Sequence, residues 1–149
     1  MKTQFFRFLI LSAAFAVFSL SAMAQTGTSL AVEIPFNFHV GNERMAAGKY
    51  SIRRVSDYSF LLQSADGNAK VLVQTPLLVD AGRELTTEKL VFNRYENKYF
   101  LREIFSSRSL GRALFESKAE KMARKGVKDN EETAKKAKAQ QIAVTMKKN

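Results

Sequence analysis

Residues 32–54, VEIPFNFHVGNERMAAGKYSIRR, constrain the chain more than any other stretch. Val32, Ile34, Phe36, Phe38 and Val40 alternate with Glu33, Pro35, Asn37 and His39. Successive side chains of a strand point to opposite faces, so this spacing collects five apolar groups on one side of an extended segment. Gly41-Asn42 and Ala47-Gly48 then offer turns, and Tyr50 and Ile52 resume the alternation against Ser51 and Arg53. The pattern predicts a strand that turns and pairs back antiparallel with the next one. Pro35 has no N–H to give a ladder, which puts this first strand at a sheet edge or a bulge.

The middle of the chain repeats the scheme. Tyr58–Ser64 and Ala69–Thr75 flank Asp66-Gly67-Asn68, residues that tolerate positive φ and mark a tight hairpin. Pro76 interrupts, Leu77–Val79 reads as a short extension, and Ala81 to Glu88 form the longest connection. Lys89–Tyr95 and Lys98–Phe105 make a second hairpin around Glu96-Asn97. Both faces of that hairpin carry apolar groups, so a second sheet or a helix must cover its far side. The fold class that follows is mainly β: an antiparallel meander of six to seven strands, as a sandwich or small open barrel, with a C-terminal α-helical segment.

The helical signals begin after Ser106. Ser117-Lys118-Ala119-Glu120 is a capping box, in which the serine oxygen takes a backbone N–H and Glu120 reaches back. Gly126 suits the helix stop, and Phe115, Ala119, Met122 and Ala123 form an apolar stripe for the sheet. Asp129 with Glu132 signals a second helix, rich in alanine and lysine, running to about Val144. Its thin apolar stripe predicts a solvated, frayed segment.

Lys2 and Arg7 precede an apolar run from Phe8 to Leu20 and the small-x-small pattern Ala22-Met23-Ala24. This reads as a signal peptide over residues 1–24, followed by a β domain over 25–115 and a basic helical segment over 116–149. The run is too short to span a bilayer, so an exported, soluble chain is expected, periplasmic or secreted. The chain has no cysteine, which excludes a disulfide framework, a thiolate nucleophile and Cys-ligated metal. Residues 25–115 hold 12 basic and 9 acidic side chains, whereas 116–149 hold 10 and 5. The basic end favours a polyanionic partner without choosing among lipid phosphates, acidic glycans and nucleic acid.

The opening Ile34-Pro35-Phe36-Asn37-Phe38-His39-Val40-Gly41-Asn42, with Ala47-Gly48-Lys49-Tyr50 and Arg53-Arg54, resembles a family of small exported bacterial proteins that has no assigned function. Phe92-Asn93-Arg94-Tyr95, Tyr99-Phe100-Leu101, Gly111-Arg112 and Ser117-Lys118-Ala119-Glu120 are similar to the family's second half. The likeness covers most of residues 32–121. Met45-Ala46 stands where the family commonly has Leu-Pro, and Ala113 where an acidic residue is usual. The resemblance implies export and a compact β domain, and brings no catalytic residues.

Candidate chemistry is sparse. His39, the single histidine, lies on the polar face of the first strand, where the ordinary reading is a surface residue; a base or ligand role needs partners the sequence does not mark. Asp66-Gly67-Asn68 is a turn before it is a calcium loop, since the later Glu is missing. Glu84 and Glu88 beside Arg83 and Lys89 read as solvated ion pairs. FSSRSLGR has no nucleophile elbow, and no phosphate loop occurs. Arg53, Arg54, Arg94, Arg102, Arg108 and Arg112 offer a basic face, but the interleaved basic-aromatic pattern of an RNA-reading sheet is absent.

The function expected from these readings is a non-enzymatic exported β-domain, an envelope-associated binding or structural module without catalytic, cofactor or metal residues. Its contacts with an anionic envelope surface or polymer would be Lys135, Lys136, Lys138, Lys147 and Lys148. The alternative is a carrier of an apolar small molecule, with Phe36, Phe38, Phe60, Leu62, Phe92 and Phe100 lining a β-barrel-like cavity. Dense packing of those side chains would rule it out.

Overall fold

The structure, a computed structural model, describes residues 29–82, 85–107, 110–128 and 140–148. The signal segment 1–24, Arg108 and the three lysines at 135, 136 and 138 lie outside the described residues. Twelve strands are described: β1 (Ser29–Ile34), β2 (Phe38–Val40), β3 (Glu43–Met45), β4 (Gly48–Ser56), β5 (Ser59–Ser64), β6 (Lys70–Gln74), β7 (Leu77–Asp80), β8 (Lys89–Tyr95), β9 (Lys98–Phe105), β10 (Leu110–Ala113), β11 (Gln140–Thr145) and β12 (Lys147–Lys148). One helix, α1 (Lys118–Lys128), lies between β10 and β11.

The strands form two open sheets that face each other as a sandwich. The first has the order β12-β1-β4-β5-β6 and the second β11-β8-β9-β10-β7, with β2 added parallel to β9 and β3 to β2. The predicted pairing back of the opening stretch is present, with Val32 opposite Tyr50 and Ile34 opposite Gly48. The hairpin at Asp66-Gly67 is also present: Gly67 takes φ +75°, and Asp66 accepts hydrogen bonds from the Asn68 N–H and side-chain amide.

Three corrections concern continuity. The opening alternation is not one strand, because the chain leaves the first sheet at Ile34 and enters the second at Phe38. Pro35 marks this crossing, and β1 is an interior strand between β12 and β4. Pro76, the other proline, marks the second crossing, from β6 at the edge of the first sheet to β7 at the edge of the second. A residue that cannot donate to a ladder costs nothing where ladders end. Leu77–Asp80 is therefore a strand of the other sheet, and the six or seven expected strands become twelve.

The largest correction is at the C-terminus. The helix expected to run from Asp129 to about Val144 is a strand over its described end: Gln140–Thr145 pairs along β8, with Ile142 opposite Phe92. Met146 then carries the chain back across the core, 2% exposed, its N–H donating to the Glu88 carbonyl at 2.9 Å. Lys147 and Lys148 pair with Ala31 and Leu30. Residues 140–148 thus belong to the β sandwich, not to a separate basic helical segment. The β-branched Ile142 and Val144 suit this strand, where each is half-buried.

The core is continuous between the sheets. Ile34, Phe38, Leu62, Leu90, Phe92 and Ile104 are fully buried in one cluster with Met146. Phe92 meets Phe36 and Phe38 edge to face, at 5.2 and 5.5 Å between ring centroids, and Phe38 meets Tyr50 at 5.4 Å. Such contacts add about 0.5–1.5 kcal/mol each beyond the area they bury. On the other face of the β8–β9 hairpin α1 covers Tyr95 and Phe100, which are buried with Val127 while Ala119 and Ala123 pack against them.

Candidate functional site

Helix α1 starts as a capped helix should. Ser117 Oγ accepts the Glu120 N–H at 3.1 Å, its carbonyl accepts the Lys121 N–H at 3.0 Å, and Asn42 Oδ1 from the β2–β3 turn accepts the Ala119 N–H at 3.4 Å. The other half of the capping box is not made. Glu120 turns inward, 2% exposed, and its Oε1 accepts from Asn93 Nδ2 at 2.8 Å and from the Tyr95 hydroxyl at 3.4 Å. Burial pushes its carboxyl above the usual range, against the pull of the Asn93 hydrogen bond and Arg102. The helix also runs two residues beyond Gly126, which is exposed and uncrowded.

Helical spacing explains which groups the helix leaves outside. Ala119, Glu120, Ala123 and Val127 form the stripe toward the sheet, so Lys118, Lys121, Met122 and Lys125 fall on the solvent face. Met122 is 73% exposed and Phe115, just before the helix, 66%. Both were expected against the sheet; the buried stripe lies one position away from Met122. The outcome is a basic helix face with Met122 in water, and Phe115 exposed just before the helix.

Beside this face, a groove of about 530 Å³ runs between α1 and the β2–β3 hairpin. His39 is opposite Arg44 on β3 and beside Phe100 on β9, and its ring stacks on Phe100 at 4.9 Å. Lys98 lies two residues from Phe100 on the same strand face. Asn37, Asn97 and Tyr99 complete one wall, and Ala119, Met122 and Ala123 the other. Partial burial, with Arg44 and Lys98 nearby, pushes the imidazole below its ordinary value and favours its neutral form. His39 Nδ1 is shielded and has no hydrogen-bond partner among the described residues.

The groove is lined by two cations and no carboxylate. Two other grooves, along the first sheet, mix signs: one holds Asp57 and Glu88 with Arg54 and Lys148, the other Glu33 with Lys49 and Lys147. Lys147 and Lys148 are exposed on β12, on separate grooves.

Four of the described arginines are each engaged with a different partner. Arg54 donates to Ser106 and lies over Phe60, Arg94 lies over Tyr99, Arg102 donates to the Leu114 carbonyl, and Arg112 lies over Tyr58. Of the six side chains expected around a cavity, Phe36, Phe38, Phe60, Leu62 and Phe92 meet in the sandwich core, whereas Phe100 lies on the opposite face under α1. Among the described residues no group of three or more His, Asp or Glu gathers as a metal site.

Arg44 and Lys98 are not singled out by the sequence, and the α1 lysines enter it as cations only through the net charge of residues 116–149. Arg44 sits in a three-residue strand between the turn signals Gly41-Asn42 and Ala47-Gly48, and the alternation of Lys98 with Phe100 is the available signal for Lys98. For the helix, the signal was Lys118, Lys121, Met122 and Lys125 on one 3.6-residue face.

Among the described residues the architecture is a two-sheet β sandwich carrying one helix on an outer face. No protein family, curated protein or solved structure matches the chain. No helix among the described residues is long and apolar enough to cross a membrane.

Proposed function

We propose that the chain is a non-enzymatic exported binding module that docks on an anionic envelope surface through the α1 side of the sandwich. The observation that carries this reading is the solvent face of α1, where Lys118, Lys121 and Lys125 lie beside an exposed Met122, with Phe115 exposed just before the helix. Lysines near an anionic bilayer contribute about 1 kcal/mol each, and an apolar side chain inserted among headgroups adds burial that charge alone does not supply. Export rests on the signal-like N-terminal sequence.

Sedimentation with vesicles tests the proposal. The protein should pellet with phosphatidylglycerol-containing vesicles at low salt and far less with phosphatidylcholine alone. Salt should weaken the association without abolishing it, because Met122 and Phe115 are insensitive to screening. Equal binding to both vesicle types, or none, would overturn the reading.

A further inference from the structure

We infer that the groove beside His39 binds a single-chain amphiphile with an anionic carboxylate head, held between Arg44 and Lys98 with its chain lying over Phe100 toward Met122. The inference rests on the binding-module reading above and gives it a specific ligand class. Three observations support it.

The first is sign. Arg44 and Lys98 enter the groove without a lining carboxylate, and the described ion pair of this region, Arg124 with Glu116 at 2.8 Å, lies outside the lining. A carboxylate entering here meets two cations that the groove itself does not neutralise. Asn37 and Asn97 add polar groups, although Asn37 Oδ1 already accepts the Ala47 N–H at 2.9 Å.

The second is polarity across the groove. The cations stand on the β3 and β9 side, while Ala119, Met122 and Ala123 form the helix side and Phe100 is buried beneath. A polar, cationic wall therefore faces an apolar one, so an amphiphile can set its head on the first and its chain along the second. Met122, 73% exposed, is a flexible apolar side chain well suited to closing over an alkyl chain.

The third is His39. It is half-buried, stacked on Phe100, and shielded at Nδ1. The groove's volume of about 530 Å³ lies within the usual range for small-molecule sites.

His39 also supplies the readout, since a chain with one histidine gives one set of imidazole resonances. Decanoate, added as monomer to the purified protein, should shift the His39 ring resonances saturably, and an anion beside the ring should raise its pKa. Decanol and acetate, each lacking one half of the ligand, should bind at least ~10-fold more weakly, since each omits interactions worth more than about 1.4 kcal/mol. Arg44→Ala with Lys98→Ala should weaken decanoate by a similar factor; both side chains are exposed, so an unchanged melting temperature verifies the fold. Lys118→Glu, Lys121→Glu and Lys125→Glu together should abolish vesicle docking but leave decanoate binding in place, which separates failure of this inference from failure of the docking proposal. His39 resonances indifferent to decanoate, or decanol binding as tightly as decanoate, would overturn the inference. So would full affinity in the Arg44 and Lys98 double variant.

Discussion

Gly111 shows how closely individual residues are specified. It faces Phe105 across the β9–β10 corner, where a Cβ at position 111 would stand 2.6 Å from the ring. The glycine is required by this approach, not by its backbone angles. Gly111→Ala should cost about 1–3 kcal/mol of stability through overpacking, read by chemical denaturation, and shortening Phe105 to Leu should recover part of it. Glu120 is specified in another way. Its carboxyl lies beneath α1 with Asn93 and Tyr95 donating to it and Arg102 and Glu116 within electrostatic reach. Burial raises its folded pKa above the ordinary 4.5, so the folded state holds this proton more tightly than the unfolded one. Its contribution to stability is then fully present below the unfolded value and is lost as pH rises through the folded value. Glu120→Gln removes that loss, so the melting temperature of the variant relative to wild type should climb as pH rises above the ordinary carboxyl value of 4.5. A difference independent of pH would contradict this reading.

At the scale of elements, residues 140–148 matter most. Six consecutive residues of β11 pair with β8, Met146 is in the core, and β12 covers part of β1. Deleting 140–149 should therefore abolish cooperative thermal unfolding, or lower its midpoint by many degrees. The helix read from sequence over this region predicts the opposite, that truncation after Gly126 leaves the midpoint nearly unchanged. Calorimetry of the truncated chain decides between them. The misreading has a physical cause: an alanine and lysine-rich stretch promotes helix locally, while the fate of Ile142 and Val144 depends on a vacant β8 edge that no local pattern reveals. The elements that were legible were those whose signals are local. Asp66-Gly67 fixed a hairpin, Ser117 a helix start, and the two-sided apolar β8–β9 hairpin demanded a cover on each face. Pro35 and Pro76 were legible as interruptions, yet their role in passing the chain between sheets emerges only once two sheets exist.

Across the whole molecule, the sandwich fills its interior with its own aromatic side chains, so the chemistry available to partners lies outside. The α1 side gathers basic residues, exposed Met122 and Phe115, and a carboxylate-free groove, whereas Lys147 and Lys148 stand on the first sheet beside grooves of mixed charge. The sequence pointed correctly to excess positive charge in the last 34 residues but could not say which lysines share a face, because that depends on the rotation of α1 over Tyr95 and Phe100. The measurement that tests this account most directly is lysine acetylation footprinting with and without phosphatidylglycerol-containing vesicles. Lys118, Lys121 and Lys125 should be protected on binding while Lys70, Lys147 and Lys148 remain as reactive as in solution. Protection centred on Lys147 and Lys148, or spread evenly over all lysines, would contradict it.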